Sequence, residues 1–199
     1  MHRVLLIHGV HNTAGRANWN NKLEAMWESI DMPLRLSAWT YGGLLLNRTS
    51  ALSTWCPWYR RAVKREALES LTEIQRYVAA FSHEEGKLSV VGHSFAGQIV
   101  QYALENGWHF HRIILLASAM DEDFDFAKYE HQFDQMHIYW SPMDEVIPYS
   151  YYGRQGVIGP QVEHARVFQY RTLGYKHNRW TADENLKAMG PVWLKELTE

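Results

Sequence analysis

The sequence predicts an α/β fold: a three-layer sandwich in which helices cover both faces of a mostly parallel, six-stranded sheet. Six short apolar runs are spread along the 199 residues, most of them separated by segments of helical periodicity. The residues with chemical potential follow directly after those runs, where open parallel sheets present their ligand sites. The stretch Leu88-Ser89-Val90-Val91-Gly92-His93-Ser94-Phe95-Ala96-Gly97 adds a third signal, because a β-branched run drives into a glycine-flanked serine and a helix-compatible segment follows at once.

The elements can be justified in order. Arg3 to His8 reads as the first strand and runs into the polar loop His8-Gly9-Val10-His11-Asn12. Trp19 to Ile30 places Leu23, Met26, Trp27 and Ile30 on one helical face. Pro33 ends that helix, and Leu34 to Trp39 alternates as a second strand. The segment 41–59 mixes Gly42-Gly43, a leucine triplet and Trp55-Cys56-Pro57-Trp58-Tyr59, and is expected to be a small insertion or lid. Arg60 to Phe81 carries a continuous apolar stripe and predicts a helix. After the Ser94 strand and helix, Ile113 to Leu116 and Met136 to Trp140 read as strands four and five. Pro148 to Pro160, with three glycines, reads as a loop, and Arg166 to Tyr170 as the last strand. The pattern from Trp180 onward is helical, with an interruption expected at Gly190-Pro191.

Composition bounds the function. The length suits one domain spanning 1–199, and 46% hydrophobic with 21% charged residues is an ordinary globular balance. A net charge of -2 gives no electrostatic reason to expect nucleic acid as a partner. The single cysteine, Cys56, excludes an intrachain disulfide framework and is expected to be a buried apolar residue. No apolar stretch approaches the roughly 18 residues of a membrane span. A cytoplasmic protein is the expectation.

The chemistry starts at Ser94. A tight strand-to-helix turn forces its apical residue into a strained conformation and exposes the hydroxyl at a helix N-terminus, where developing negative charge is favoured. An alcohol is a poor nucleophile, so it needs a base, and an imidazole with an unperturbed pKa of about 6.5 suits the task. His177 follows the last strand, and Asp144 follows the fifth; both are expected at the same sheet edge as Ser94. The main-chain N–H groups of Val10 and Phe95 are the candidate oxyanion donors.

On His8-Gly9, Gly92-His93-Ser94-Phe95-Ala96-Gly97, Ser141-Pro142-Met143-Asp144-Glu145-Val146-Ile147-Pro148 and His177, the chain resembles a small member of the α/β-hydrolase superfamily over essentially its whole length. The resemblance implies strand order 2-1-3-4-5-6, with the two usual opening strands missing. It also implies a carboxylesterase- or lipase-like enzyme working through a Ser-His-Asp triad and an acyl-enzyme intermediate, without a cofactor. Two departures stand out: Ala96 where glycine is expected, and two residues rather than none between Gly174 and His177.

Rival assignments come from the same pattern. Asp121, after the fourth strand, competes with Asp144 as the acid; His164 competes with His177 but precedes the last strand. His8 and His11 lack a third ligand at matching spacing, so a metal site is not expected. Both are candidate substrate-site residues together with Trp55, Trp58 and Tyr59. His93 is expected to be buried and satisfied. The partner expected is a small ester molecule. The alternatives are a catalytically inactive binding protein of the same fold, or a thioesterase, C–C hydrolase or haloperoxidase using the same triad.

Overall fold

The computed structural model describes residues 2–8, 19–29, 34–39, 69, 72–73, 86–149 and 153–199. The expectations for Val10 and His11, for the lid at 41–59 with Trp55, Cys56, Trp58 and Tyr59, and for most of the helix at 60–81 lie outside these residues.

The elements run β1 (His2–Ile7), α1 (Trp19–Glu28), β2 (Leu34–Trp39), β3 (Leu88–His93), α2 (Ala96–Glu105), β4 (Phe110–Leu116), β5 (Phe133–Trp140), α3 (Gln155–Ile158), β6 (Val167–Arg171) and α4 (Asp183–Thr198). Short 3-10 turns occupy Phe126–Gln132, Ile147–Tyr149 and His177–Thr181. The sheet has six strands in the order β2-β1-β3-β4-β5-β6, and every neighbouring pair is parallel. This is the order the resemblance implies.

The period-two alternation of the strands sorts their side chains into two cores. Leu5, Ile7, Val90, Ile113, Leu115, Met136 and Ile138 pack with Ile99, Ala103 and Leu104 of α2. Val4, Leu6, Val91, Ile114, Leu116 and Tyr139 face the other way, against Leu23 and Trp27 of α1 and Trp193, Leu194 and Leu197 of α4. Both faces are therefore covered where the structure describes them, as an all-parallel sheet requires.

Three expectations change. Strands β4 and β5 start earlier than their apolar runs, at Phe110 and Phe133. Their first residues pair through polar side chains, including a hydrogen bond between His111 Nδ1 and Asp134 Oδ2 at 2.6 Å. The segment between Pro148 and Pro160 is not all loop, because Gln155–Ile158 forms α3. Gly156 permits this: a Cβ there would lie 2.6 Å from the Ala117 carbonyl carbon. Finally, Gly190-Pro191 does not interrupt the last helix, which contains Pro191. A proline in a helix interior costs about 3 kcal/mol. Beyond it, Trp193, Leu194 and Leu197 are all buried, and each such side chain contributes about 1.5–3 kcal/mol. Burial wins. Gly190 also brings α4 against α1, where its carbonyl accepts from Trp27 Nε1 at 3.1 Å.

Candidate active site

Ser94 leaves β3 with φ of 59°, in the left-handed region that non-glycine residues rarely adopt. Such a conformation persists only when its surroundings over-determine it. Here they do. The Ser94 N–H donates to the Leu116 carbonyl at 2.9 Å, while its own carbonyl accepts from Ala119 N–H at 2.9 Å and Gly97 N–H at 3.1 Å. The Ser94 position is thus fixed to the end of β4 as well as to its own helix.

Two glycines let the turn close. A Cβ on Gly92 would stand 2.7 Å from the Ala96 Cβ, so β3 and α2 meet there with one methyl between them rather than two. This accounts for the departure at Ala96: the space is yielded on the strand side. A Cβ on Gly97 would run into Ser118 Oγ and lie 2.8 Å from the Met120 nitrogen, so the first turn of α2 lies flush on the loop after β4. Phe95 N–H sits at the N-terminal end of α2, next to the Ser94 hydroxyl.

His177 begins the 3-10 turn after β6 and is buried. Its Nδ1 lies 2.7 Å from Asp144 Oδ2, and its Nε2 lies 2.9 Å from Ser94 Oγ. A carboxylate accepts only, so Nδ1 carries the proton and Nε2 is left to accept from the serine hydroxyl. The turn itself is braced behind the histidine. Tyr175 donates to Asn185 Oδ1 at 2.8 Å and Asn185 Nδ2 donates to the Trp180 carbonyl at 2.7 Å.

Asp144 follows β5 and is buried. Its Oδ1 accepts from the N–H groups of Val146 at 2.9 Å and Ile147 at 3.0 Å, leaving Oδ2 to the imidazole. Burial pushes this carboxyl up. The hydrogen bond and charge of His177, with the two main-chain donors, outweigh that and hold it below the usual carboxylate range.

The structure brings Ser94, His177 and Asp144 together and leaves their rivals elsewhere. The Asp121 carboxylate accepts from Gln101 Nε2 at 2.8 Å, tied to α2. His164 faces Glu130 at 3.3 Å, ahead of β6. His8 follows β1 and is fully buried. His93 is buried, as the sequence suggested, and burial first and then the neighbouring His177 lower its pKa to about 3. Among the described residues, no group of three or more His, Cys, Asp or Glu side chains is placed to hold a metal ion. Among them, too, no helix is long and apolar enough to cross a membrane.

A parallel sheet of this order, with a left-handed serine after β3 and an Asp–His pair after β5 and β6, defines the α/β-hydrolase fold, and the chain has that fold. XC6422 from Xanthomonas campestris, an α/β serine hydrolase without a lid, superposes with a TM-score of 0.62 at 13% identity, covering 98% of this chain and 81% of that one. Carboxylesterase CesB from Bacillus subtilis gives 0.59 at 11% identity over 98% and 83%. The NocB thioesterase domain, in covalent complex with a fluorophosphonate nocardicin G analogue, gives 0.55 at 14% over 98% and 94%. No family model and no curated protein sequence matches the chain.

Proposed function

We propose that the protein is a serine hydrolase that cleaves esters of small or medium acyl chains, as a carboxylesterase does. Ser94 Oγ attacks the ester carbonyl while its proton passes to His177 Nε2, and Asp144 stabilises the imidazolium that forms. Main-chain N–H groups of Phe95 and, from the sequence, Val10 receive the oxyanion. The tetrahedral species collapses as His177 returns the proton to the leaving alcohol, which leaves an acyl-Ser94. Water, deprotonated by His177, then attacks the acyl group and frees the acid. These steps draw on no cofactor.

One observation carries the proposal: the unbroken relay from Ser94 Oγ through both His177 nitrogens to Asp144, with links of 2.9 and 2.7 Å. The test is covalent labelling by a fluorophosphonate probe, followed by turnover of nitrophenyl esters of rising chain length. We expect stoichiometric labelling that disappears in Ser94→Ala, and turnover of the shorter esters. Labelling that survives in Ser94→Ala would sink the nucleophile assignment. No labelling of the wild-type protein would favour a binding protein of the same fold.

A further inference from the structure

His177 is held by more than its ring. Its main-chain N–H donates to Glu145 Oε2 at 3.2 Å, and its carbonyl lies 3.1 Å from His93 Nε2. A carbonyl has no proton to give, so His93 carries one on Nε2 and donates it there. The two rings also touch, with centroids 4.7 Å apart at an interplanar angle of 46°, and Trp19 meets the His93 ring edge-on.

We propose that His93 is a positioning residue: it ties the main chain of His177 directly to the strand that carries Ser94, while Glu145 holds the same residue from the Asp144 loop. This rests on His177 being the base. The need for such a tie is visible in the approach to His177. The chain arrives from β6 through Leu173, which is 72% exposed, and through Gly174, which has φ of 80° and open space where a Cβ would be. Tyr175 and Asn185 brace the turn from behind, but neither bonds His177 itself, so the tie is what links its main chain to the serine strand. It sets the height of the imidazole over the serine from the residue immediately before the nucleophile, so base and serine move as one body.

A histidine suits the position only while neutral. During the reaction His177 becomes cationic, and a second positive ring at 4.7 Å would oppose it. The titratable groups that act on His93 are His177, Asp144 and His8, and its deep burial resists protonation. It is therefore a neutral donor throughout the range in which the relay works.

The test compares His93→Phe, which keeps a flat ring but no donor, with His93→Gln, whose amide restores one. Misplacing a catalytic group by about 1 Å costs roughly 10²-fold, so kcat should fall about that far in the Phe variant. KM should stay nearly constant, and the Gln variant should recover most of the loss. A readout independent of turnover is the downfield proton resonance of His177 Nδ1. It should exchange faster in His93→Phe and persist in His93→Gln. Should the Phe variant not fold, His93→Gln alone decides: a kcat or Nδ1 proton as impaired as in His93→Ala overturns the tie. An unchanged Nδ1 resonance and unchanged kcat in a folded Phe variant would also overturn it. A wild-type protein inert to fluorophosphonate, with a resonance that depends on His93, would count against the hydrolase proposal while leaving the tie standing.

Discussion

Replacing Asp144 by Asn is the sharpest single perturbation of the relay, because the local hydrogen bonds dictate which way the amide must face. Two main-chain N–H groups, from Val146 and Ile147, converge on the Oδ1 position at 2.9 and 3.0 Å. They need an acceptor, so the amide oxygen takes that place and the NH₂ group is turned to His177 Nδ1. The imidazole must then accept at Nδ1 and carry its proton on Nε2, pointing at Ser94 Oγ. In that tautomer it cannot receive the serine proton. An analogous change in serine proteases lowers kcat by about 10⁴, which corresponds to about 5.4 kcal/mol at about 1.36 kcal/mol per tenfold. The fold should tolerate the change, since both main-chain bonds survive. The assay is the second-order rate of fluorophosphonate labelling beside the urea midpoint. A folded Asp144→Asn variant that labels within tenfold of wild type would refute the tautomer argument, and an equal loss in Asp121→Asn would move the acid to Asp121.

Three further outcomes follow from the same structure. Ser94→Gly and Ser94→Ala should both be inert, but the glycine variant should be more stable by about 1 kcal/mol, because alanine keeps the left-handed strain; calorimetry checks this, and equal stabilities would deny it. Tyr139→Phe removes a 2.6 Å bond to Glu196 and should cost about 1.5–3 kcal/mol in urea unfolding with turnover unchanged. Glu196 would retain His137, at 3.4 Å, and Tyr170 as partners. On acidification, burial keeps His93 neutral down to about 3 and His2 down to about 4, while the unfolded chain protonates both near 6.5. The unfolded state therefore binds more protons between those values, and stability should fall as pH drops from about 6.5 toward 4. His93→Gln should make that decline shallower, as urea midpoints at pH 7.5 and 5 would show.

The elbow was legible because its pattern is local: an apolar run, two glycines and a serine within ten residues describe one strand and one turn. The choice between Asp144 and Asp121 was less so, since both follow strands at the same edge; in the structure Gln101, a helix residue, takes up the Asp121 carboxylate, whereas Asp144 meets His177. The first residues of β4 and β5 are not legible because His111, Arg112, Asp134 and Gln135 break the apolar runs, and their pairing depends on a partner strand rather than on periodicity. Pro191 misled for the opposite reason. A strong local rule was overridden by tertiary burial of the residues beyond it. The tie between His93 and His177 spans 84 positions and uses a main-chain carbonyl, which no side-chain pattern can announce.

The spacing of the three relay residues has a bearing on how the molecule assembles. Ser94 and His177 are 83 positions apart, and the strands between them are β4, β5 and β6, added one after another to the same side of β3. Parallel pairing of this kind is non-local, and each addition closes a long loop before its contacts stabilise it. The serine turn takes a backbone bond from the end of β4, and His177 lies beyond β6, the last strand in the chain. Under the proposed function, reactivity at Ser94 would report completion of the sheet, because the serine turn needs only β3, α2 and β4 whereas its partners His177 and Asp144 need β5 and β6 as well.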